Sequence, residues 1–68
     1  MTIYDLAMDV EVQGNVVINK ITEDDVIPVY QNEWGLTCNE KSEPYMDKEI
    51  IYLYASQIGL VIEYREEN

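Results

Sequence analysis

The sequence predicts an α+β domain: a short N-terminal helix packed on a small, mainly antiparallel sheet of three to five strands that ends in a C-terminal β-hairpin. Three observations predict it. An apolar stripe at helical spacing opens the chain. Runs rich in β-branched residues, broken by turn residues, fill the middle. Two apolar stretches around a short connection close it. With 68 residues the chain makes one acidic domain, residues 1–68, near the lower size at which a core holds without staples. A single cysteine forms no intrachain disulfide, and the absence of His removes the usual zinc ligands, so neither staple is at hand.

Residues 2–9 read as the helix. Thr2 can cap it, and Asp5 stands three residues on, where its carboxylate can reach back to the cap amide. Ile3, Leu6, Ala7 and Val10 fall at i, i+3, i+4 and i+7 and lay one apolar stripe along it. A two-turn helix is unstable alone in water, so it must lie on something, and a sheet follows. Val10 to Ile21 is rich in β-branched residues, with Val16-Val17-Ile18 as the strand core and Gly14-Asn15 as either a tight turn or a bulge. Thr22 to Asp25 is a polar, acidic turn. Val26 to Gln31 resumes as a strand, and Pro28, which lacks a ladder donor, puts that strand at an edge. Residues 32–44 form the longest loop, from which Trp34 and Leu36 are expected to tuck back over the core.

The close of the chain is the clearest stretch. Glu49 to Ala55 and Leu60 to Arg65 read as strands around a four-residue connection, Ser56 to Gly59. In the first, Ile50, Tyr52 and Tyr54 face one side and Ile51, Leu53 and Ala55 the other. Both faces are apolar, which suits a central strand covered on both sides. In the second, Leu60, Ile62 and Tyr64 oppose Val61, Glu63 and Arg65, which suits a half-buried strand. One short helix covers one face, so the second apolar face calls for the Trp34 loop, a barrel-like curl or another copy of the chain. We expect a homodimer through the C-terminal hairpin.

The charge excludes whole classes of partner. Fourteen Asp or Glu against four Lys or Arg give a net charge of −10. Nonspecific nucleic-acid binding needs clustered cations, whereas Lys20, Lys41, Lys48 and Arg65 are isolated from one another, so no direct nucleic-acid contact is expected. Anionic membrane surfaces are disfavoured for the same reason. The field favours a basic protein and speeds encounter with one. No basic n-region precedes an apolar stretch at the N-terminus, and Cys38 is unpaired, which points to a cytoplasmic protein.

The catalytic inventory is nearly empty. Without His, the commonest general base at neutral pH is missing, and Cys38 has no imidazole to activate it. Glu23-Asp24-Asp25 is the densest acidic run, but it lacks the alternating oxygen ligands, central Gly and terminal Glu of an EF-hand loop. Three glycines make no phosphate-binding loop. We therefore expect no enzymatic activity, no metal and no cofactor. Six tyrosines and one tryptophan without phenylalanine suit protein interfaces and equally the rim of a small core. Carboxylates on one face of a strand stand roughly 6.6–6.8 Å apart, comparable to successive phosphates along a DNA strand, so the domain can act as a DNA mimic if the fold gathers them.

The opening Thr-Ile-Tyr-Asp-Leu-Ala, the middle Val-Gln-Gly-Asn-Val and the closing Tyr-Met-Asp-Lys-Glu-Ile-Ile-Tyr-Leu-Tyr-Ala with Leu-Val-Ile-Glu-Tyr resemble small acidic proteins of phages, prophages and other mobile elements of low-GC Gram-positive bacteria. Some proteins of that neighbourhood are anti-CRISPR proteins or other inhibitors of host defence. The resemblance implies a non-enzymatic inhibitor that occupies a basic, nucleic-acid-binding surface of a host protein. It carries over no functional residue. From the residues themselves the expected partner-binding set is Glu23, Asp24, Asp25, Asp47, Glu49, Glu63, Trp34, Tyr45, Tyr52 and Tyr54. The alternative is a self-associating structural or accessory protein of a mobile element, with acidity serving only solubility.

Overall fold

Thr2 and Asp5 form a reciprocal capping box at the start of α1 (Ile3–Asp9). The Asp5 amide donates to Thr2 Oγ1 at 3.1 Å, and the Thr2 amide donates to Asp5 Oδ2 at 3.0 Å. These bonds from Thr2, its backbone first and its side chain second, hold the Asp5 carboxyl below its ordinary value. The computed structural model describes residues 1–66. After α1 come β1 (Val16–Ile21), β2 (Val26–Asn32), a one-turn 3-10 helix at Glu43–Tyr45, β3 (Ile50–Ser56) and β4 (Gly59–Arg65). The strands make one mixed sheet in the order β2-β1-β4-β3, and the protein is α+β with a C-terminal hairpin. β1 runs antiparallel to β2 and β3 antiparallel to β4, while β1 and β4 pair in parallel at the centre.

The core lies between one face of this sheet and α1. Val16 and Ile18 of β1 and Ile62 and Tyr64 of β4 meet Ile3 and Leu6 of the helix, with Leu36 and Met46 added from the segment between β2 and β3. That segment is tied to the helix start: the Ile3 amide donates to Lys48 O and the Tyr4 amide to Met46 O, each at 2.9 Å, and Thr2 bridges to Glu49. Its bend is held by Ser42, fully buried, whose hydroxyl donates to Thr37 O at 2.6 Å and accepts from the Asn39 amide at 3.0 Å.

Tyr30, Tyr45 and Tyr64 meet as tilted ring pairs at one end of this layer, with centroids 6.4 Å and 6.2 Å apart. The pairing of β1 with β2 slips by one residue between Ile18 and Asn19, which leaves Val29 as an unpaired bulge. The carbonyl of Val29 accepts from the Tyr45 hydroxyl at 3.2 Å, so the polar group freed by the bulge is satisfied.

Five local expectations are corrected. The strand read as central, Glu49 to Ala55, is the edge strand β3, because β4 turns inward to pair with β1 and its hairpin partner is pushed out. Its pairing with β4 slips at Ile51, which moves Ile50 to the helix face with Leu53 and Ala55 and leaves Tyr52 and Tyr54 on the opposite face. Gly14-Asn15 is neither hairpin turn nor bulge: Gly14 sits at φ +83° in an irregular approach, and β1 begins only at Val16. The hairpin loop is the two residues Gln57 and Ile58, since Ser56 already pairs with Gly59. Trp34 does not tuck over the core; it is 84% exposed, whereas Leu36 is buried as expected. The polar Thr22–Asp25 turn closes through Thr22 amide to Asp25 O at 2.8 Å, and β2 is an edge strand, as Pro28 requires.

Thr2→Ala should lower the unfolding free energy by about 1 kcal/mol, read as a shifted urea midpoint. An unmoved midpoint would show that the bridge to Glu49 alone fixes the helix start. A second test concerns Tyr64, whose hydroxyl is raised above the ordinary 10.0, first by burial and then by Tyr45 and Glu66. A folded-state value above the unfolded one means that this stabilisation is complete below about pH 10 and is lost as pH rises through the folded value. Urea midpoints taken from about pH 8 to 11 should fall in the wild type and fall less in Tyr64→Phe; parallel declines would place the alkaline loss elsewhere.

Candidate binding surfaces

The carboxylates avoid the strands. Of the four strands only β4 carries one, Glu63, so no ladder of carboxylates at phosphate spacing forms on the sheet. Glu23, Asp24 and Asp25 lie in the β1–β2 turn. Asp47 and Glu49 precede β3 at the same end of the sheet, because β2 and β3 both start where β1 and β4 finish. The cations gather there too. Lys20 pairs with Glu66 at 3.5 Å, the terminal amine pairs with Glu49 at 3.2 Å, and Arg65 stands between the two acidic groups. This end is therefore a mixed surface with exposed ion pairs of small energy. The layer over the core is different: Asp5, Asp9, Glu11, Glu33, Glu40 and Glu43 stand on α1 and the loops, with Lys41 as the one cation in residues 33–43.

Among the described residues no layer covers the face of the sheet away from α1. Tyr52 and Tyr54 of β3 and Glu63 of β4 share it, with Val17 and Val61 buried at its centre. Glu63 is already engaged: Oε2 accepts from Asn19 Nδ2 at 3.0 Å and from the Tyr54 hydroxyl at 3.2 Å. Partial desolvation, and then this bond, push the Tyr54 hydroxyl above its ordinary value. Pro28, Ile58, Val17 and Val61 line a shallow, mostly apolar trough of about 620 Å³ beside Tyr54.

Tyr45 belongs to the other face, half-buried between Tyr30 and Tyr64 with its hydroxyl spent on Val29. Of the ten expected partner residues, the fold thus joins Tyr52, Tyr54 and Glu63 on one face and Glu23, Asp24, Asp25, Asp47 and Glu49 at one end. It places Trp34 apart from both.

Trp34 stands on a turn that is pinned from both sides. The Asn32 side chain accepts from the Trp34 amide at 3.2 Å and donates to Gly35 O at 2.8 Å. Gly35, at φ +104°, lies so close to the Val12 carbonyl that a Cβ would collide with it, and the next residue, Leu36, donates its amide to that same carbonyl at 3.3 Å and buries its side chain. The backbone of the turn is therefore fixed, and the indole stands exposed on it. Asp9, Glu11, Met8 and Val10 border the same cleft of about 310 Å³, and Glu33 precedes Trp34 in the turn.

No protein-family model matches the chain, and no curated protein and no solved structure matches it. Among the described residues no three His, Cys, Asp or Glu side chains are grouped to hold a metal, and no helix is long and apolar enough to cross a membrane. The arrangement around Trp34 can do one thing well. It offers an aromatic face beside carboxylates, to which a guanidinium or ammonium can both stack and bond. Asp9 and Glu11 were missed as neighbours of the Trp34 cleft in the sequence; the only local signal was the Asn32-x-x-Gly35 turn that carries the indole.

Gly35→Ala should lower stability by about 1–3 kcal/mol, since the added Cβ meets backbone at a positive φ. A denaturant titration that finds the variant as stable as the parent would show that the turn yields.

Proposed function

We propose that the protein is a non-catalytic binding module for a basic protein surface. The carrying observation is Trp34, 84% exposed on a backbone-pinned turn beside Asp9 and Glu11. Tryptophan brings a large face with only two side-chain torsions to order, and it is enriched among the residues that carry most interface energy. An Arg or Lys of the partner stacks on the indole while its N–H groups reach the carboxylates. The net charge of −10 steers such a partner into contact.

Basic surfaces of the required density belong to proteins that handle nucleic acids. The resemblance to small acidic mobile-element proteins motivates the narrower reading, in which the partner is a host defence protein such as a CRISPR effector and the domain blocks its cationic groove. The carboxylates then replace phosphates through the helix and loops, not through a strand.

Capture from a bacterial lysate by the immobilised protein should yield a basic, nucleic-acid-handling partner at about 50 mM salt and much less at about 500 mM. Trp34→Ala should weaken that binding about 30-fold or more, as expected for loss of an anchoring aromatic. Capture that ignores salt, or that survives Trp34→Ala at full affinity, would remove this reading.

A further inference from the structure

The two edges of the sheet are not alike. β2 (Val26–Asn32) is blunted by Pro28 and by the bulge at Val29, whose carbonyl Tyr45 already occupies. β3 (Ile50–Ser56) carries no proline and no charged side chain along its seven residues. Ile51, Tyr52, Leu53 and Tyr54 are each between 41% and 54% exposed, and Ile58 of the adjoining loop is 62% exposed. Alternate residues of an edge strand direct their N–H and C=O groups outward, so this edge offers both a backbone template and apolar side chains on each face. Its one irregularity, the slip at Ile51, lies at the start and leaves Tyr52 to Ser56 in regular register with β4.

We infer that β3 pairs antiparallel with β3 of a second copy of this chain, joining two four-stranded sheets into one of eight strands. Charge decides the occupant. Two chains of −10 repel over most of their surfaces, and β3 is a stretch of edge where a second copy can approach without bringing carboxylate onto carboxylate. The strand is self-complementary in that orientation. Pairing centred on Leu53 sets Tyr52 against Tyr54 of the second copy on the open face and Leu53 against its own equivalent on the helix face. It also sets Glu49, at the head of the strand, opposite the uncharged Gln57. The two Glu49 side chains are then eight positions apart, about 27 Å at strand rise and well beyond the Debye length of about 8 Å. A basic partner's strand finds no carboxylate on this edge to select it. The blunted β2 edge stops further addition, so the assembly closes as a dimer, and Trp34, which follows β2, stays free at each outer end.

The inference is independent of the Trp34 reading, and salt separates them: screening weakens attachment to a basic partner but strengthens association of two like-charged copies. Light scattering from about 1 to 300 µM should show mass rising toward twice the 7.9 kDa chain, at lower concentration in about 500 mM salt than in 50 mM. Leu53→Lys should hold the mass at monomer with an unchanged far-UV circular dichroism spectrum. Ala55→Lys, at an exposed position of the same edge, should do the same and decides the matter if Leu53→Lys perturbs the fold. Ile27→Lys, on β2, should leave the dimer intact, and Trp34→Ala should not alter the mass. A monomer at every concentration in both salts, or a dimer that withstands Ala55→Lys, would overturn the inference.

Discussion

The parallel pairing of β1 with β4 is the constraint from which the other features follow. Parallel neighbours cannot be joined by a tight turn, so the chain must travel back along the molecule before β4 can enter beside β1. It does so through β2, the 3-10 turn at Glu43–Tyr45 and β3. The segment between β2 and β3 crosses the helix face on the way and delivers Leu36, Tyr45 and Met46 to the core. A seven-residue helix is too small to bury Val16, Ile18, Ile62 and Tyr64 unaided, and this crossing supplies the rest of the layer. The same path leaves β2 and β3 at the two edges and puts Trp34 at the point where the chain leaves the sheet.

With only one layer available, the second face of the sheet is protected from within. Val17 is 7% and Val61 4% exposed there, although no helix or loop among the described residues lies over them. They occupy the two central strands, where side chains of the edge strands flank them, and Tyr54 on β3 and Pro28 on β2 border the trough that they floor. Glu63 completes this face as a carboxylate with two donors already in place. A small domain without staples can leave a face open in this way because its centre is narrow, two strands wide, and the edges stand on either side of it.

What was legible in the sequence was local. Thr2 and Asp5 specify the capping box by their spacing, and Pro28 excludes β2 from the interior. The alternation from Leu60 to Arg65 gives the faces of β4 directly. What was not legible depends on partners distant in the chain. The two apolar faces of residues 49–55 suggested a central strand; they mark an exposed edge because β4, not β3, pairs with β1. Single-residue slips at Val29 and Ile51 reverse the side-chain alternation, and no composition announces them. The turn that carries Trp34 is anchored by the close approach of Gly35 to the carbonyl of Val12, a meeting of segments far apart in sequence.

The placement of charge ties these observations together. A sheet with carboxylates facing one another across strands is penalised by repulsion, and a chain of net charge −10 must avoid that to fold at all. Here β1, β2 and β3 carry no Asp or Glu, and the single strand carboxylate, Glu63, faces Tyr52 on one side and Asn19 on the other. The negative charge is displaced to α1, to the loops and to the β1–β2 turn, where water screens it. That displacement makes the helix-side layer attractive to cations around Trp34. It also keeps from β3 the carboxylates that could help an edge strand refuse a neighbour, and β3 carries no Lys in their place. An acidic surface and an edge free of carboxylates are therefore two results of one requirement, that an acidic chain keep its carboxylates off its sheet.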